Sequence, residues 1–470
     1  MSARRGLQGA LVTLAVAAVA LVVPCGSRAE EGSGQESEGE NAARVPRREI
    51  TLRRALELAG ERNPSVARAR AEVAASEARM RKAWAAVIPS ISAGMTYSHL
   101  DHPDEIDTSS MMGDTPASMV GDSEPIVVRR QDDLSGSLTV DVPLVNPAAW
   151  ASIGVSDTAL DVGELSAEQT REAVLYSTAR AYYLASMSRA LVDLQKEQVR
   201  SASHHLEVAE QKKAAGSGLR IDVLRARTDL EQARQDLEEA RLSLETSCDT
   251  LGVLTGTGGL PLPAESPVLN RPRLDEERLE ERAAKNRPDL ALARKSVELS
   301  DEQLDAAWLS LLPSINGMWQ GTHQFTEMAE MGDPDETRWS VMLILNKPIF
   351  DWAGYHEIGE WRAALESASH QLAEAEQAAG QELRQARREY LSALREVENA
   401  ASQARLARET LRLATSAYDA GAGSSLEVTD ARRTASAAEV NLVTARLKAQ
   451  LSLLDVLQAA GEPADEIAAR

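Results

Sequence analysis

The apolar positions of this chain follow one period, switch to another, and then do the same again much later. Residues Asn63 to Trp84 and Asp289 to Trp308 carry apolar or alanine positions every three or four residues, the spacing of one helical face. Each run meets a proline, Pro89 or Pro313, which predicts that the helix stops there. Beyond the first proline, Ile91, Ala93, Met95 and Tyr97 alternate with Ser92, Gly94, Thr96 and Ser98, predicting a strand with one apolar and one polar face. A second strand comes next, with Leu134, Leu138, Val140 and Val142 against Ser135, Ser137, Thr139 and Asp141. The later counterparts set Ile315, Trp319 and His323 against Asn316, Gln320 and Thr322, and Trp339, Val341, Leu343 and Leu345 against Ser340, Met342 and Asn346.

From about Ala151, and again from about Gly359, the chain reads as helix for roughly 65 residues, about 100 Å at the helical rise. Each long helix ends at a glycine turn, Gly216 with Gly218 or Gly421 with Gly423, and a shorter helix returns. The returning helices carry Val223, Ala226, Leu230, Ala233, Leu237, Ala240 and Leu244, or Val428, Ala431, Ala435, Ala438, Leu442, Ala445 and Ala449. A seam this rich in alanine lets helices lie close side by side, as in coiled packing; an ordinary bundle core is the alternative.

The repetition is regular enough to count. Pro64, Trp84, Pro89 and Ile91 match Pro288, Trp308, Pro313 and Ile315 at an offset of 224, whereas Pro143 matches Pro348, and Gly216 matches Gly421, at 205. The first copy therefore holds 19 extra residues between Ile91 and Pro143. A period of about 200 residues is too long for a solenoid and implies duplication of a whole fold unit. The expected organisation is a first repeat over 50–260 (strands near 90–100 and 134–144), a linker over 261–285, a second repeat over 286–460 (strands near 314–325 and 338–349) and a tail over 461–470. Acidic segments rich in Gly, Pro and Met separate the paired strands and read as loops in water.

Ahead of all this, residues 1–29 combine Arg4 and Arg5, an apolar run over Leu11 to Val23 and a small-residue cleavage site at Ser27 to Ala29, which is an export signal. Cys25 is either removed with the signal or lipidated. Without it, Cys248 is the one cysteine, so neither an internal disulfide nor a zinc–cysteine cluster is expected. Residues 30–49 are polar and read as a disordered leader. The net charge of −21 falls to −24 once the three arginines of 1–29 are removed, which argues against nucleic acid as a partner. Aromatic residues make up only 3% of the 470, favouring long, thin helical packing over thick globular cores.

Strands of about ten residues with one apolar face suit a tilted crossing of an outer membrane, but the smallest membrane barrels need about eight strands. Four strands with open edges would leave backbone groups unpaired in lipid, so a spanning reading demands several copies: two chains supply eight strands and three supply twelve.

Asn63-Pro64, Ile88-Pro89-Ser90, Val142-Pro143-Leu144, Leu312-Pro313-Ser314, Lys347 to Asp351 and the hairpins Gly216 to Val223 and Gly421 to Val428 together make the chain resemble the TolC-like outer-membrane efflux proteins over nearly all of 50–460. The resemblance implies a mainly α fold with a small β membrane part. Each chain would hold a duplicated helix, strand pair and helical hairpin, and a homotrimer would form a twelve-stranded β-barrel continued by a long α-helical coiled-coil barrel through the periplasm. It also implies passive conduction from an inner-membrane pump and a periplasmic adaptor protein, with outer-membrane lipid around the strands and with the cargo set by the pump. Pro89, Pro143, Pro313 and Pro348 would mark the handover between tunnel helices and barrel strands.

Family acids at the second hairpin ring the closed end of the tunnel, and Glu427 and Asp430 stand at the matching places; as plain surface acids they would also suit a first helical turn. Asp222 and Tyr418 match positions that tie neighbouring hairpins together, although Gly423 stands where a basic partner would be. Trp84, Trp308, Trp319, Trp339 and Trp352 read as membrane-interface anchors or as core. His99, Asp101 and His102 with Met111, Met112, Met119, Met328 and Met331 read as solvated loop residues or metal contacts. His204 and His205, adjacent on a helix, point to different faces and make no site between them. No catalytic motif or cofactor signature is present, so no enzyme is expected; a periplasmic coiled-coil scaffold or adaptor is the alternative to a channel.

Overall fold

The computed structural model describes residues 49–102, 104–106, 126–129, 131–264, 276–326 and 337–469. The export signal, the leader up to residue 48 and the five loop methionines lie outside the described residues.

Two copies of one unit succeed each other. In the first, β1 (Glu49–Ile50) leads to α1 (Leu52–Arg62) and α2 (Pro64–Trp84), then β2 (Ser90–His99), a small hairpin of β3 (Asp104–Ile106) and β4 (Ile126–Arg129), and β5 (Asp132–Val145). The long α3 (Pro147–Ala214) and its return α4 (Arg220–Thr255) complete it. After β6 (Leu262–Pro263), the second copy runs α5 (Glu276–Asn286), α6 (Pro288–Ser310), β7 (Ser314–Gln324), β8 (Thr337–Asn346), α7 (Trp352–Asp419) and α8 (Ser425–Ala459). The extra hairpin β3–β4 falls inside the insertion that the change of offset locates.

Local chemistry sets the joints. Asn63 ends α1 and caps α2, its Oδ1 accepting from the Ser65 amide at 2.8 Å while its Nδ2 donates to the Leu254 carbonyl at 3.0 Å. Arg287 stands at the matching place before Pro288 and, without capping the helix, ties the joint to the C-terminal segment, donating to the Ala459 carbonyl at 3.2 Å and pairing with Asp289 and Glu382. Asn146 and Asp351 cap the long helices through the amides of Ala149 and Ala353. Pro89 and Pro313 stand immediately before β2 and β7, and Pro348 lies just beyond β8. Pro143 sits differently: it is within β5, at a bulge opposite Asn316, where a residue without an N–H costs the ladder least.

α3 and α7 are 68 residues each, about 100 Å long. Along α4, Ala226, Leu230, Ala233, Leu237 and Leu244 are buried, and along α8 all seven seam residues from Val428 to Ala449 are. Part of the molecule is thicker than the low aromatic content leads one to expect. Midway along the helices, Tyr176, Tyr182, Tyr183, Leu175, Leu251 and Leu454 join α1, α5 and the C-terminal 3-10 turn Ala464–Ala469 in one core. Tyr182 donates to the Ile50 carbonyl and Tyr176 to that of Glu462. The stretch read as a linker carries β6, paired parallel to β1, and α5, whose Leu279 and Ala283 are buried.

The sheet runs β2-β5-β7-β8, antiparallel throughout. Its register stacks Ile91, Val140, Trp319 and Val341 in one row and Ala93, Leu138, Gly321 and Trp339 in another, so the four alternations share one apolar face. Met95, Tyr97, Leu343 and Leu345 extend that face. The opposite face carries Ser92, Thr139, Gln320 and Ser340 in a row, with Met318, Met342 and Ile344 as its apolar members. On the apolar face Ile91, Trp339 and Leu343 are 73%, 70% and 71% exposed in the single chain, a patch that a monomer in water would not keep. Within the chain, β2 and β8 are the edges of the sheet.

Candidate functional site

The two hairpin tips lie together at the far end of the long helices from the sheet. Gly216 and Gly421 turn the chain at φ of 76° and 75°, in the left-handed region that L side chains avoid. Gly218 and Gly423 are needed for space: a Cβ on Gly218 would lie 2.8 Å from the Lys213 nitrogen, and one on Gly423 would lie 3.1 Å from the Tyr418 nitrogen.

Past each turn comes an acid at the third helical position. The Glu427 carboxylate accepts from the Ser424 amide at 3.2 Å while Ser424 Oγ accepts from the Glu427 amide at 3.3 Å, a reciprocal box. Asp222 accepts from the Leu219 amide at 3.4 Å. Glu427 and Asp430 are exposed and Asp222 is half-buried. Apolar side chains stand exposed around them: Leu219, Ile221 and Leu224 on the first tip and Leu426 on the second.

Behind the tips, the hairpins meet along a polar seam. Gln198, His205 and Lys212 succeed one another on α3 at intervals of seven, so all three lie on one face of the helix. Gln198 donates to Glu439 at 3.1 Å. His205, 7% exposed, has Nε2 3.4 Å from Ser425 Oγ and its ring centroid 5.5 Å from that of Tyr418. Lys212 donates to the Tyr418 carbonyl and holds its ammonium 3.7 Å from the centre of the Tyr418 ring. From α4, Asp229 pairs with Arg432 of α8 and, at 3.3 Å, with Arg433; Asp229 and Arg432 are both buried.

Burial displaces the titrations here. His205 is pushed below the ordinary imidazole range by burial and by the nearby Arg432 cation, against an opposing pull from Asp419 and Asp222. The Tyr418 phenol is raised by burial and by Asp222 and Asp419, and lowered by a hydrogen bond with Ser425. Arg432 is lowered to about 10 by burial and by Arg433.

Of the four residues expected at the aperture, Tyr418 is buried at the junction, while Asp222, Glu427 and Asp430 line its solvent side. Gly423 offers no basic group here; Lys212, from the other hairpin, places its ammonium over Tyr418. Sequence reasoning passed over Lys212, Asp229 and Arg432, and set His205 aside with its neighbour. The seven-residue spacing of Gln198, His205 and Lys212 was the available signal.

Elsewhere, Trp84, Trp308, Trp339 and Trp352 are exposed and Trp319 is half-buried, its ring lying over Gly321. At the end of the sheet away from the helices, Tyr97 donates to Asp132 and His99 Nδ1 contacts the same oxygen, each at 2.7 Å. His102 pairs with Asp101. Among the described residues no group of three or more His, Cys, Asp or Glu is placed to hold a metal, and no helix is long and apolar enough to cross a membrane.

The family model described as Outer membrane efflux protein matches residues 55–257 and 279–462. The chain is similar to Outer membrane protein OprJ of Pseudomonas aeruginosa, 22% identical over 428 residues, covering 88% of this chain and 85% of that one. It is 26% identical over 320 residues to the Probable efflux pump outer membrane protein TtgC of Pseudomonas putida, covering 63% of each. Its fold matches the CmeC outer membrane channel of Campylobacter jejuni with a TM-score of 0.70 at 16% identity, over 92% of this chain and 94% of that one.

Proposed function

The chain belongs to the outer membrane efflux protein family, and on that premise we propose that three copies close one twelve-stranded barrel and pass substrates outward from an inner-membrane pump and a periplasmic adaptor. The observation that carries this reading is the sheet, with one continuous apolar face exposed and two open edges, β2 and β8. Such a sheet is stable in lipid only when each edge finds a partner, because every unpaired backbone group there costs several kcal/mol. The edges of neighbouring copies supply that pairing: β8 of one meets β2 of the next. The polar face then lines a wet lumen, and the long helices project from the membrane as a tube.

At the far end, three-fold repetition brings three copies each of Glu427 and Asp430 around one opening, which favours cations over anions. The exposed Leu219, Ile221, Leu224 and Leu426 form an apolar collar there, suited to an adaptor. Conduction is passive, so the energy and the choice of cargo reside in the pump. Detergent-purified protein, cross-linked and then placed in planar bilayers, gives a trimer and a cation-selective conductance on this reading. Double replacement Glu427→Ala with Asp430→Ala weakens block by divalent cations. A monomer released from membranes by carbonate would instead support a periplasmic scaffold.

A further inference from the structure

The seam between the hairpins holds one group that titrates near neutral pH and is shut away from water. His205 of α3 faces Ser425 and Arg432 of α8, Tyr418 at the end of α7, Asp419 just beyond it on the same turn, and Asp222 at the start of α4; His204 and Lys212 share its helix. Two fixed cations belong to the same seam, Lys212 over the Tyr418 ring and Arg432 against Asp229. Arg432 already has its counter-ion in Asp229, and the Lys212 ammonium is committed to Tyr418. A neutral imidazole fits among them and a charged one does not, because the nearest acids, Asp222 and Asp419, lie toward the solvent side of the tips.

We propose that His205 is a proton-operated catch: neutral, it holds the two hairpins of one chain together, and protonated, it releases them and widens the opening at the tips. The inference rests on the channel reading for its consequence, but the catch itself is a property of a single chain. Its direction comes from linkage. With the hairpins together, His205 binds its proton less readily than a solvated imidazole; with the hairpins apart, it regains the ordinary pKa near 6.5. The parted state therefore binds more protons, and the closed state is at full strength above about pH 6.5 and weakens as the pH falls below it. At pH 5.5 a solvated imidazole is about ten parts protonated to one neutral, so the equilibrium shifts toward parting by up to about tenfold per chain relative to pH 7.5. A compartment open to the medium through an outer membrane takes on the outside pH, so such a catch would make the tunnel answer to external acid.

The test measures the gap directly. Spin labels are placed on Lys213→Cys and Ala422→Cys, both exposed at the two tips, in a Cys248→Ser background of the full-length protein. The label-to-label distance is read between pH 7.5 and 5.5, above the usual range of the carboxylates. The expected result is a widening below about pH 6.5 that His205→Gln abolishes, since glutamine can still bond Ser425 and cannot take a proton. His205→Phe gives a second, apolar version of the same control. A distance independent of pH, or an identical widening in the variants, overturns the catch. Conductance recorded on the same samples separates the two proposals: widening without conductance keeps the catch and defeats the channel, whereas conductance at a fixed distance keeps the channel and defeats the catch.

Discussion

The first tip turns at Gly216 and the second at Gly421 with the same backbone, and in both the amide of the second glycine bonds the carbonyl six residues before it, Lys212 or Ala417. The return helices begin differently. The second opens with Ser424 and Glu427 satisfying each other reciprocally, while the first opens with Leu219, which has no acceptor to offer and is 67% exposed. The first tip thus forgoes a cap and presents apolar surface, although its acid still satisfies one amide. The hairpins also divide their labour across the seam. The first supplies His205, Lys212 and Asp229, and the second supplies Ser425, Tyr418 and Arg432. A local rule broken in one copy and kept in the other points to a demand on that copy beyond stability.

The comparison can be broken hardest at the buried pair. Asp229→Ala leaves Arg432 buried without its counter-ion and is expected to cost about 3–5 kcal/mol, seen as a lower midpoint in thermal unfolding of the detergent-solubilised protein. Next come the turns. Gly216→Ala and Gly421→Ala each place a Cβ in the left-handed region at a cost of about 1–2 kcal/mol. Because the two backbones match, equal losses sharpen the comparison, and unequal ones would show that one tip is the more constrained. The smallest effects probe the caps: Ser424→Ala should lose about 1 kcal/mol, while Leu219→Ser should gain a similar amount and weaken adaptor binding in a pull-down. A Leu219→Ser protein that binds the adaptor unchanged would remove the functional reason for the missing cap.

Much of the architecture is written in local periodicity. Alternation over Ile91 to Tyr97 and over Trp339 to Leu345 is a two-residue signal, and the segments carrying it lie in β2 and β8. The glycine turns are equally local, since only glycine readily tolerates the φ that Gly216 and Gly421 adopt. The helix α5 escaped because its sequence, EERLEERAAKN, is almost wholly polar, and its two inward residues, Leu279 and Ala283, gain their meaning from a core assembled by distant segments. The midway core escaped for a related reason: seven tyrosines and two phenylalanines in the whole chain are too few to advertise it, yet Tyr176, Tyr182, Tyr183 and Tyr390 converge there. At the tips, His205 looked idle because its partners lie some 210–230 residues away, on another hairpin; reading α3 by sevens instead of by neighbours brings it into line with Gln198 and Lys212. Asp229 and Arg432 gave no such sign, since charged residues at helical spacing usually face water.

The open edges of the sheet bear on the cell's arithmetic. A lone chain entering lipid would strand the ladders of β2 and β8, so if three copies close the barrel, insertion would be a collective event and intermediates with one or two copies would be short-lived. Under the trimeric reading, surface density at low expression rises with something near the cube of synthesis, so that halving production removes far more than half of the conduits.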